Sequence, residues 1–284
     1  MKILILGATG MLGSSIFRMF NDKTNWNVFG TVRSEESIQA FSKTISDKLI
    51  SHCDVTDNDR LSQVITQVNP DVVINCIGVV KQVSDAHDPV KMVTINSLLP
   101  HQLSKISANI DARLIHISTD CVFLGNKGNY TEDDIPDAQD IYGRSKLLGE
   151  VSSEHCITLR TSIIGPELNT RNGLLEWFLS QNDKCEGYAK AIFSGLPTII
   201  LAKIIAETII PMRELHGVYH VASQPISKFN LLKLISDVYG KKIELISNSD
   251  LVIDRTLSAD KFQKITGYKA PEWTEMIETM YLNQ

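Results

Sequence analysis

The sequence lacks any stretch of about eighteen consecutive apolar residues, so it contains no span of the length a bilayer-crossing helix needs. The opening MKILILGATG offers a charge and an apolar run, but the run is too short for a signal sequence and leads into glycines. A CxxC pair is absent too. The five cysteines, Cys53, Cys76, Cys121, Cys156 and Cys185, are odd in number and scattered, which suits reduced structural thiols in a cytoplasmic protein rather than a disulfide framework. There is no basic excess: a formal net charge of −5 sets nucleic acid and membrane surfaces aside as partners. Seven histidines occur without an HExxH, and no GxSxG elbow occurs, so neither a metal site nor a hydrolase is expected. GATGMLGSS has no lysine where a phosphate-binding P-loop requires one. Repeats, low-complexity tracts and Pro/Gly/Ser linkers are also missing, so any lobes should pack together.

What is present is a globular composition, 284 residues with 43% hydrophobic and 21% charged, enough for a sizeable core. Apolar runs of strand length fall at Ile3 to Leu6, Asn27 to Val32, Leu49 to His52, Val72 to Cys76, Leu114 to Ile117 and Ile157 to Leu159. Between them, helical periodicity marks Met11 to Phe20, Asp57 to Val68 with Asp57 as N-cap, Val90 to Ala108 and Tyr142 to Ser153. Strand and helix alternating in this way predict an α/β Rossmann fold, a doubly wound parallel sheet, over residues 1–160. Residues 161–284 read as a smaller α+β lobe for substrate, with chain crossings between the two. Its elements are helices at Leu174 to Ser180, Thr198 to Met212, Ser227 to Tyr239 and Thr274 to Tyr281, and a strand at Gly217 to Val221. Trp177 is expected to be an apolar anchor.

Gly7, Gly10 and Gly13 follow the first strand and open the first helix, the context a dinucleotide fingerprint requires. Glycines there allow a tight turn and let the backbone approach a pyrophosphate, whose charge the free N–H groups of the helix N-terminus stabilise. Thr9, Met11 and Leu12 complete that cofactor contact. The second strand ends at Thr31-Val32-Arg33 without the acidic residue that would bind the ribose of NAD, and Arg33 offers a guanidinium fork for a 2′-phosphate. NADP(H) is therefore favoured over NAD(H). Asp54-Val55 and Cys76-Ile77-Gly78 follow the third and fourth strands, where they either border adenine and ribose or simply make strand-end turns.

Tyr142 and Lys146 are four residues apart on one helix face. A neighbouring ammonium favours the phenolate and brings proton exchange into a usable range. Ser118-Thr119-Asp120 end the fifth strand at the edge where open α/β sheets bind ligands, as cleft residues or as caps of the next turn; of the two hydroxyls, Thr119 is the better catalytic candidate.

GATGMLG, STDCVF and YGRSKLLGE, followed by Arg160-Thr-Ser-Ile-Ile-Gly165, resemble the extended short-chain dehydrogenase/reductases, and within them the dTDP-4-dehydrorhamnose reductase-like sugar-nucleotide reductases. The likeness covers most of the chain and is looser in the last third. It implies a Thr119, Tyr142, Lys146 triad and NADPH-dependent reduction of a nucleotide-linked deoxy-keto sugar. It also implies Arg255 on the nucleotide diphosphate, with Thr119, Asp120 and Cys121 facing the sugar, and a homodimer through the Val90 to Ala108 and Tyr142 to Ser153 helices. Lys81 either joins Arg255 on phosphates or faces solvent. Cys121 departs from the family's aromatic at that position, so the sugar pocket should differ; it also departs from the Glu of the dehydratase branch, which counts against dehydration. An epimerase of the same family and a non-catalytic NADP-binding regulator remain the competing readings.

Overall fold

The computed structural model describes residues 1–81, 88–168 and 170–284. In chain order the first half is β1 (Lys2–Leu6), α1 (Met11–Lys23), β2 (Asn27–Thr31), α2 (Lys43–Ser46), β3 (Leu49–Ile50), α3 (Asn58–Val68) and β4 (Val72–Asn75). Then come α4 (Pro89–Met92), a π turn (Val93–Leu98), α5 (Leu99–Asn109), β5 (Arg113–Thr119), α6 (Ile141–Leu148) and β6 (Cys156–Thr161). The second half holds β7 (Ile163–Ile164), α7 (Leu174–Ser180), β8 (Lys184–Tyr188), β9 (Ala191–Phe193), β10 (Leu196–Pro197) and α8 (Thr198–Ile204) with a second π turn (Ile205–Ile209). It closes with β11 (Gly217–His220), β12 (Ile226–Ser227), α9 (Lys228–Val238), β13 (Glu244–Asn248), β14 (Ile253–Asp254), α10 (Asp260–Thr266) and α11 (Trp273–Leu282).

Seven parallel strands in the order β11-β6-β5-β4-β1-β2-β3 make the central sheet, so the expected doubly wound Rossmann architecture is what the chain forms. Alternation along β1 shows why: Ile3 and Ile5 enter the core beneath α1, α8 and α11, while Leu4 and Leu6 enter the core beneath α3 and α5. Both faces are dry, and every strand carboxyl end lies along one edge, where the candidate site forms.

Differences from the sequence reading have local causes. Gly217 to Val221, expected in the smaller lobe, pairs with β6 and extends the central sheet, because its register partners Ile157 to Arg160 offer an unfilled strand edge. The single helix expected over Val90 to Ala108 is divided by a π turn. Pro100 has no N–H for the Asn96 carbonyl four residues earlier, and its ring crowds that carbonyl, so the backbone widens. The helix expected to reach Ser153 ends at Leu148, capped at Gly149, where a Cβ would stand 1.9 Å from the Asn96 carbonyl oxygen. Trp177 is not an anchor: Leu175 and Phe178 are buried and Trp177 is exposed. β8 and β13, paired in register from Lys184↔Glu244 to Tyr188↔Asn248, escaped the sequence reading because their apolar content is slight. Asp57 caps α3 as expected, accepting the Arg60 N–H at 3.0 Å.

After Gly149 the chain turns Glu150 inward to a buried pair with Arg160: Nε and Nη2 donate to the two carboxylate oxygens at 2.8 Å each, and Ser118 Oγ donates to Oε1 at 2.7 Å. Arg160 also reaches His220 Nε2 at 3.3 Å, so one ion pair ties β5, β6, β11 and the end of α6 together. Breaking such a pair from one side strands a buried charge at a cost of about 3–5 kcal/mol. Glu150→Ala should lose that much unfolding free energy in urea titration, and a loss below about 1 kcal/mol contradicts this reading of the pair.

Candidate active site

The first loop is a tight turn. Gly7 has φ +80, and the Gly10 N–H donates to the Gly7 carbonyl at 3.0 Å. A Cβ on Gly13 would stand 2.1 Å from that same carbonyl oxygen, so only glycine lets α1 start this close to β1. Gly10 caps α1 without any side-chain hydrogen bond, which leaves the first N–H groups of a 13-residue helix for an anion. Thr9 and Met11 are half-buried in this turn; Leu12 is buried in the core, so only its backbone serves the turn. Gly7 N–H donates to Thr31 Oγ1 at 3.2 Å, and Ala8 N–H to the Thr31 carbonyl at 3.0 Å, which fixes the turn against the end of β2. Arg33, just beyond, is exposed, and no hydrogen bond holds it among the described residues.

Asp54 accepts from Thr56 N–H and Oγ1 at 2.9 and 2.8 Å, and these bonds hold its carboxyl below the usual range, with Arg33 and Lys91 adding to the effect. The turn-making role weighed for Asp54 is thus filled, and its charge still faces Arg33. Val55 is buried in the core.

The fourth strand end reaches toward both the glycine turn and α6. Ile77 Cγ1 lies 2.8 Å from where a Gly7 Cβ would be, and a Gly78 Cβ would lie 3.4 Å from Asn96 Oδ1 and 3.8 Å from Lys146 Nζ. Asn96, which sequence reasoning missed, clamps this segment: its Oδ1 accepts from Val79 N–H at 2.9 Å, and its Nδ2 donates to the Val79 carbonyl at 3.0 Å and to Ser145 Oγ at 3.1 Å. The π turn aims Asn96 there, and Pro100 four residues later was the available signal. Asn75 holds the same segment from beneath, accepting from Ile77 N–H at 3.1 Å and meeting His116 Nδ1 at 3.1 Å.

Lys146 is buried, its Nζ donating to the Ile117 carbonyl at 2.6 Å. Burial brings its pKa down to about 8, against a pull upward from Glu150 and then Cys76. Cys76 is itself pushed up to about 12 by burial, so it stands beside Lys146 as a neutral thiol. The expected depression of the Tyr142 phenol is not found. Burial drives the Tyr142 pKa up, the Cys121 thiol, Asp120 and Asp140 push the same way, and only a hydrogen bond with the Thr119 side chain opposes them. The phenol therefore keeps its proton at neutral pH.

Thr119 Oγ1 donates to Asp120 Oδ1 at 3.1 Å and accepts from Cys121 N–H at 3.1 Å, so it also caps the short 3-10 turn that follows β5. Ser118, by contrast, is spent on Glu150. Asp120 is raised by burial and drawn down by Thr119 and Arg255, among others, and Cys121 is raised to about 11, again by burial. Arg255 Nε donates to the Phe123 carbonyl at 2.8 Å, and its charge is among those that draw Asp120 down. Lys81 faces solvent, as one of its two expected readings had it, and is paired there: its Nζ is 2.8 Å from Asp140 Oδ2 and 5.4 Å from the Tyr142 ring centroid. Thr119, Asp120, Cys121, Tyr142 and Arg255 thus form one set of electrostatic neighbours, while Gly78 approaches Lys146 and Ile77 approaches the glycine turn. Among the described residues, no group of three His, Cys, Asp or Glu side chains stands together to hold a metal.

A family model described as the RmlD substrate binding domain matches residues 1–284. Over 272 residues the chain is 28% identical to a protein of Haloferax volcanii named a probable low-salt glycan biosynthesis reductase, covering 92% of this chain and 85% of that one. It is 37% identical over 152 residues to dTDP-4-dehydrorhamnose reductase of Mycolicibacterium smegmatis, 52% of this chain and 40% of that protein. It is 30% identical over 149 residues to methionine adenosyltransferase 2 subunit beta of Rattus norvegicus, 52% of this chain and 41% of that protein. These last two matches span less than half of the relative's length. The solved dTDP-4-dehydrorhamnose reductase of Bacillus anthracis, in complex with NADP, superposes with TM-score 0.80 over 100% of this chain and 99% of that one, at 21% identity, a likeness of fold.

The Lys146 pKa near 8 has a definite consequence. Because the folded-state value lies below the ordinary 10.5, the buried ammonium costs stability below about pH 8, and that cost is relieved as pH rises from about 8 toward 10.5. In carbon-13 NMR of labelled lysines, one resonance, missing from Lys146→Arg, should titrate at about 8; a midpoint at the ordinary lysine value contradicts the burial argument.

Proposed function

The chain belongs to the RmlD substrate binding domain family, and on that footing we propose that it is an NADPH-dependent reductase of a nucleotide-linked deoxy-keto sugar, of the 4-keto-6-deoxy type, in deoxysugar or surface-polysaccharide biosynthesis. The observation that carries the reading is Lys146 Nζ beside Gly78, next in sequence to the Ile77 that touches the glycine turn, with Tyr142 one helical turn before Lys146 on α6. The residues fit a dinucleotide: the uncapped N-terminus of α1 suits a pyrophosphate, and a side chain at Gly78 would close the space beside Lys146 Nζ. The exposed, unbonded Arg33 suits a 2′-phosphate, which favours NADP(H) over NAD(H). Gly7, Thr9, Gly10, Met11 and Leu12 line the pyrophosphate; Asp54, Val55, Cys76, Ile77 and Gly78 border adenine and ribose.

Bound NADPH supplies the hydride that a ketone carbon accepts. Tyr142, whose phenol is protonated at neutral pH, gives its proton to the oxygen that becomes an alcohol. Lys146, a cation below about pH 8, holds a ribose hydroxyl and offsets the charge left on the phenolate. Thr119 steadies the reacting oxygen, Asp120 and Cys121 line the sugar pocket, and Arg255 takes the diphosphate. Epimerisation by the same fold leaves no net consumption of NADPH, and a regulator without chemistry leaves the proton-holding pair unused. Unpaired thiols at all five cysteines agree with a cytoplasmic setting.

Two tests follow. In a panel of nucleotide-linked 4-keto-6-deoxy sugars, loss of NADPH absorbance should exceed that of NADH, and Tyr142→Phe should lower kcat by at least about a hundredfold with cofactor affinity nearly unchanged. Full activity in that variant refutes the assignment. The homodimer we propose rests on the exposed Val90, Val93, Leu98, Ile141 and Leu148, carried by α4, the π turn after it and α6. Light scattering at micromolar concentration should give twice the chain mass, and a monomer rejects it.

A further inference from the structure

Arg255 is a single guanidinium, whereas the diphosphate ester of a sugar nucleotide carries two negative charges, so one cation leaves half of that charge uncompensated. The smaller lobe supplies a second one. In the three-stranded sheet β12-β9-β14, Ser227 and Asp254 both lie opposite Ile192, on either side of the central strand. The residues that follow them are Lys228 and Arg255. β12 runs antiparallel and β14 parallel to β9, so Lys228 steps from Ile192 toward Ala191 and Arg255 toward Phe193, with two strand spacings of about 4.8 Å between their backbones. Both cations act on the same buried carboxyl, Asp120, Arg255 more strongly than Lys228. Arg255 is held by its bond to the Phe123 carbonyl, and the loop bearing it is fastened by the Asp254 N–H to the Gly125 carbonyl at 2.8 Å.

Lys228 differs from the other cations of this region. Lys81 is engaged by Asp140 at 2.8 Å, and Lys127 is paired with Asp134. Lys228 is half-buried, and among the described residues no hydrogen bond or ion pair holds its ammonium. It is also the first residue of the 11-residue α9, whose N-cap Ser227 accepts from Asn230 N–H at 3.1 Å, so the positive end of the helix adds to its charge. Asp120, whose burial disfavours its charged form, opposes an anion less than an ordinary carboxylate does.

Resting on the sugar-nucleotide reading of the cleft, we infer that Lys228 is a second diphosphate-binding residue, gripping the substrate from the opposite side of β9 to Arg255. Lys228 thereby sets affinity for the nucleotide half of the substrate and leaves the cofactor half untouched. The two cations hold the diphosphate at two points, which fixes the direction in which the sugar enters toward Tyr142 and Thr119.

The test is calorimetric titration of the full-length protein, saturated with NADP+, with dTDP, UDP and the corresponding monophosphates. Lys228→Ala should weaken binding of the preferred nucleoside diphosphate at least about tenfold, as should Arg255→Ala, while Lys228→Arg restores it to within about threefold and NADPH affinity stays unchanged in all three. The deficit should shrink for the monophosphate. Diphosphate binding by Lys228→Ala at parent affinity overturns the role of Lys228 and leaves the reductase reading standing. Failure of the parent protein to bind any nucleoside diphosphate overturns both.

Discussion

A lysine ammonium buried at the carboxyl edge of a parallel sheet is the constraint on which the rest of the site depends. Parallel strands bring all their carboxyl ends to one side, so the glycine turn after β1, Gly78 after β4, Thr119 at the end of β5 and Arg160 near the end of β6 meet there without any long-range search by side chains. Lys146 is tolerated among them because the Ile117 carbonyl accepts from it and Glu150, one turn further on, offsets its charge. Glu150 is in turn held by Arg160 and Ser118. Helix α6 is therefore fixed at its far end by a buried ion pair and at its near end by Asp140, which accepts the Gly143 N–H at 2.8 Å. Tyr142, between these two anchors, has little freedom to move away from Thr119.

The electrostatics of the pair run in opposite directions from one cause. Burial penalises whichever form carries charge, so it raises the phenol and lowers the amine. The phenol is thus a protonated donor at neutral pH, and the neighbouring ammonium, rather than burial, is what favours its conjugate base. Cys121, in the same wall, is raised to about 11 and so contributes shape, not a nucleophile.

Much of this was legible because it is local. Strand-length apolar runs, the spacing of Gly7, Gly10 and Gly13, and the four-residue interval between Tyr142 and Lys146 are each written within a dozen residues, and each formed as expected. What was not legible depends on partners distant in sequence. Nothing in Gly217 to His220 says that its edge will complete the sheet beside β6. Asn96 looked like an ordinary helical residue until Pro100 widened the turn and aimed it at Val79. Lys228 was hidden because its relation to Arg255 exists only through the register of two strands on β9. The sign of the Tyr142 shift was misread because spacing reports which groups are near and says nothing of how deeply they are buried.

The most direct measurement is the structure of the protein with bound NADP+. The result expected is a ribose hydroxyl of the nicotinamide half within hydrogen-bond distance of Lys146 Nζ, about 3 Å, with the ring facing the Tyr142 hydroxyl across the sugar cleft. A nicotinamide lying away from Lys146 and Tyr142, with only the pyrophosphate seated on the glycine turn, would contradict the redox role and leave a dinucleotide-binding scaffold.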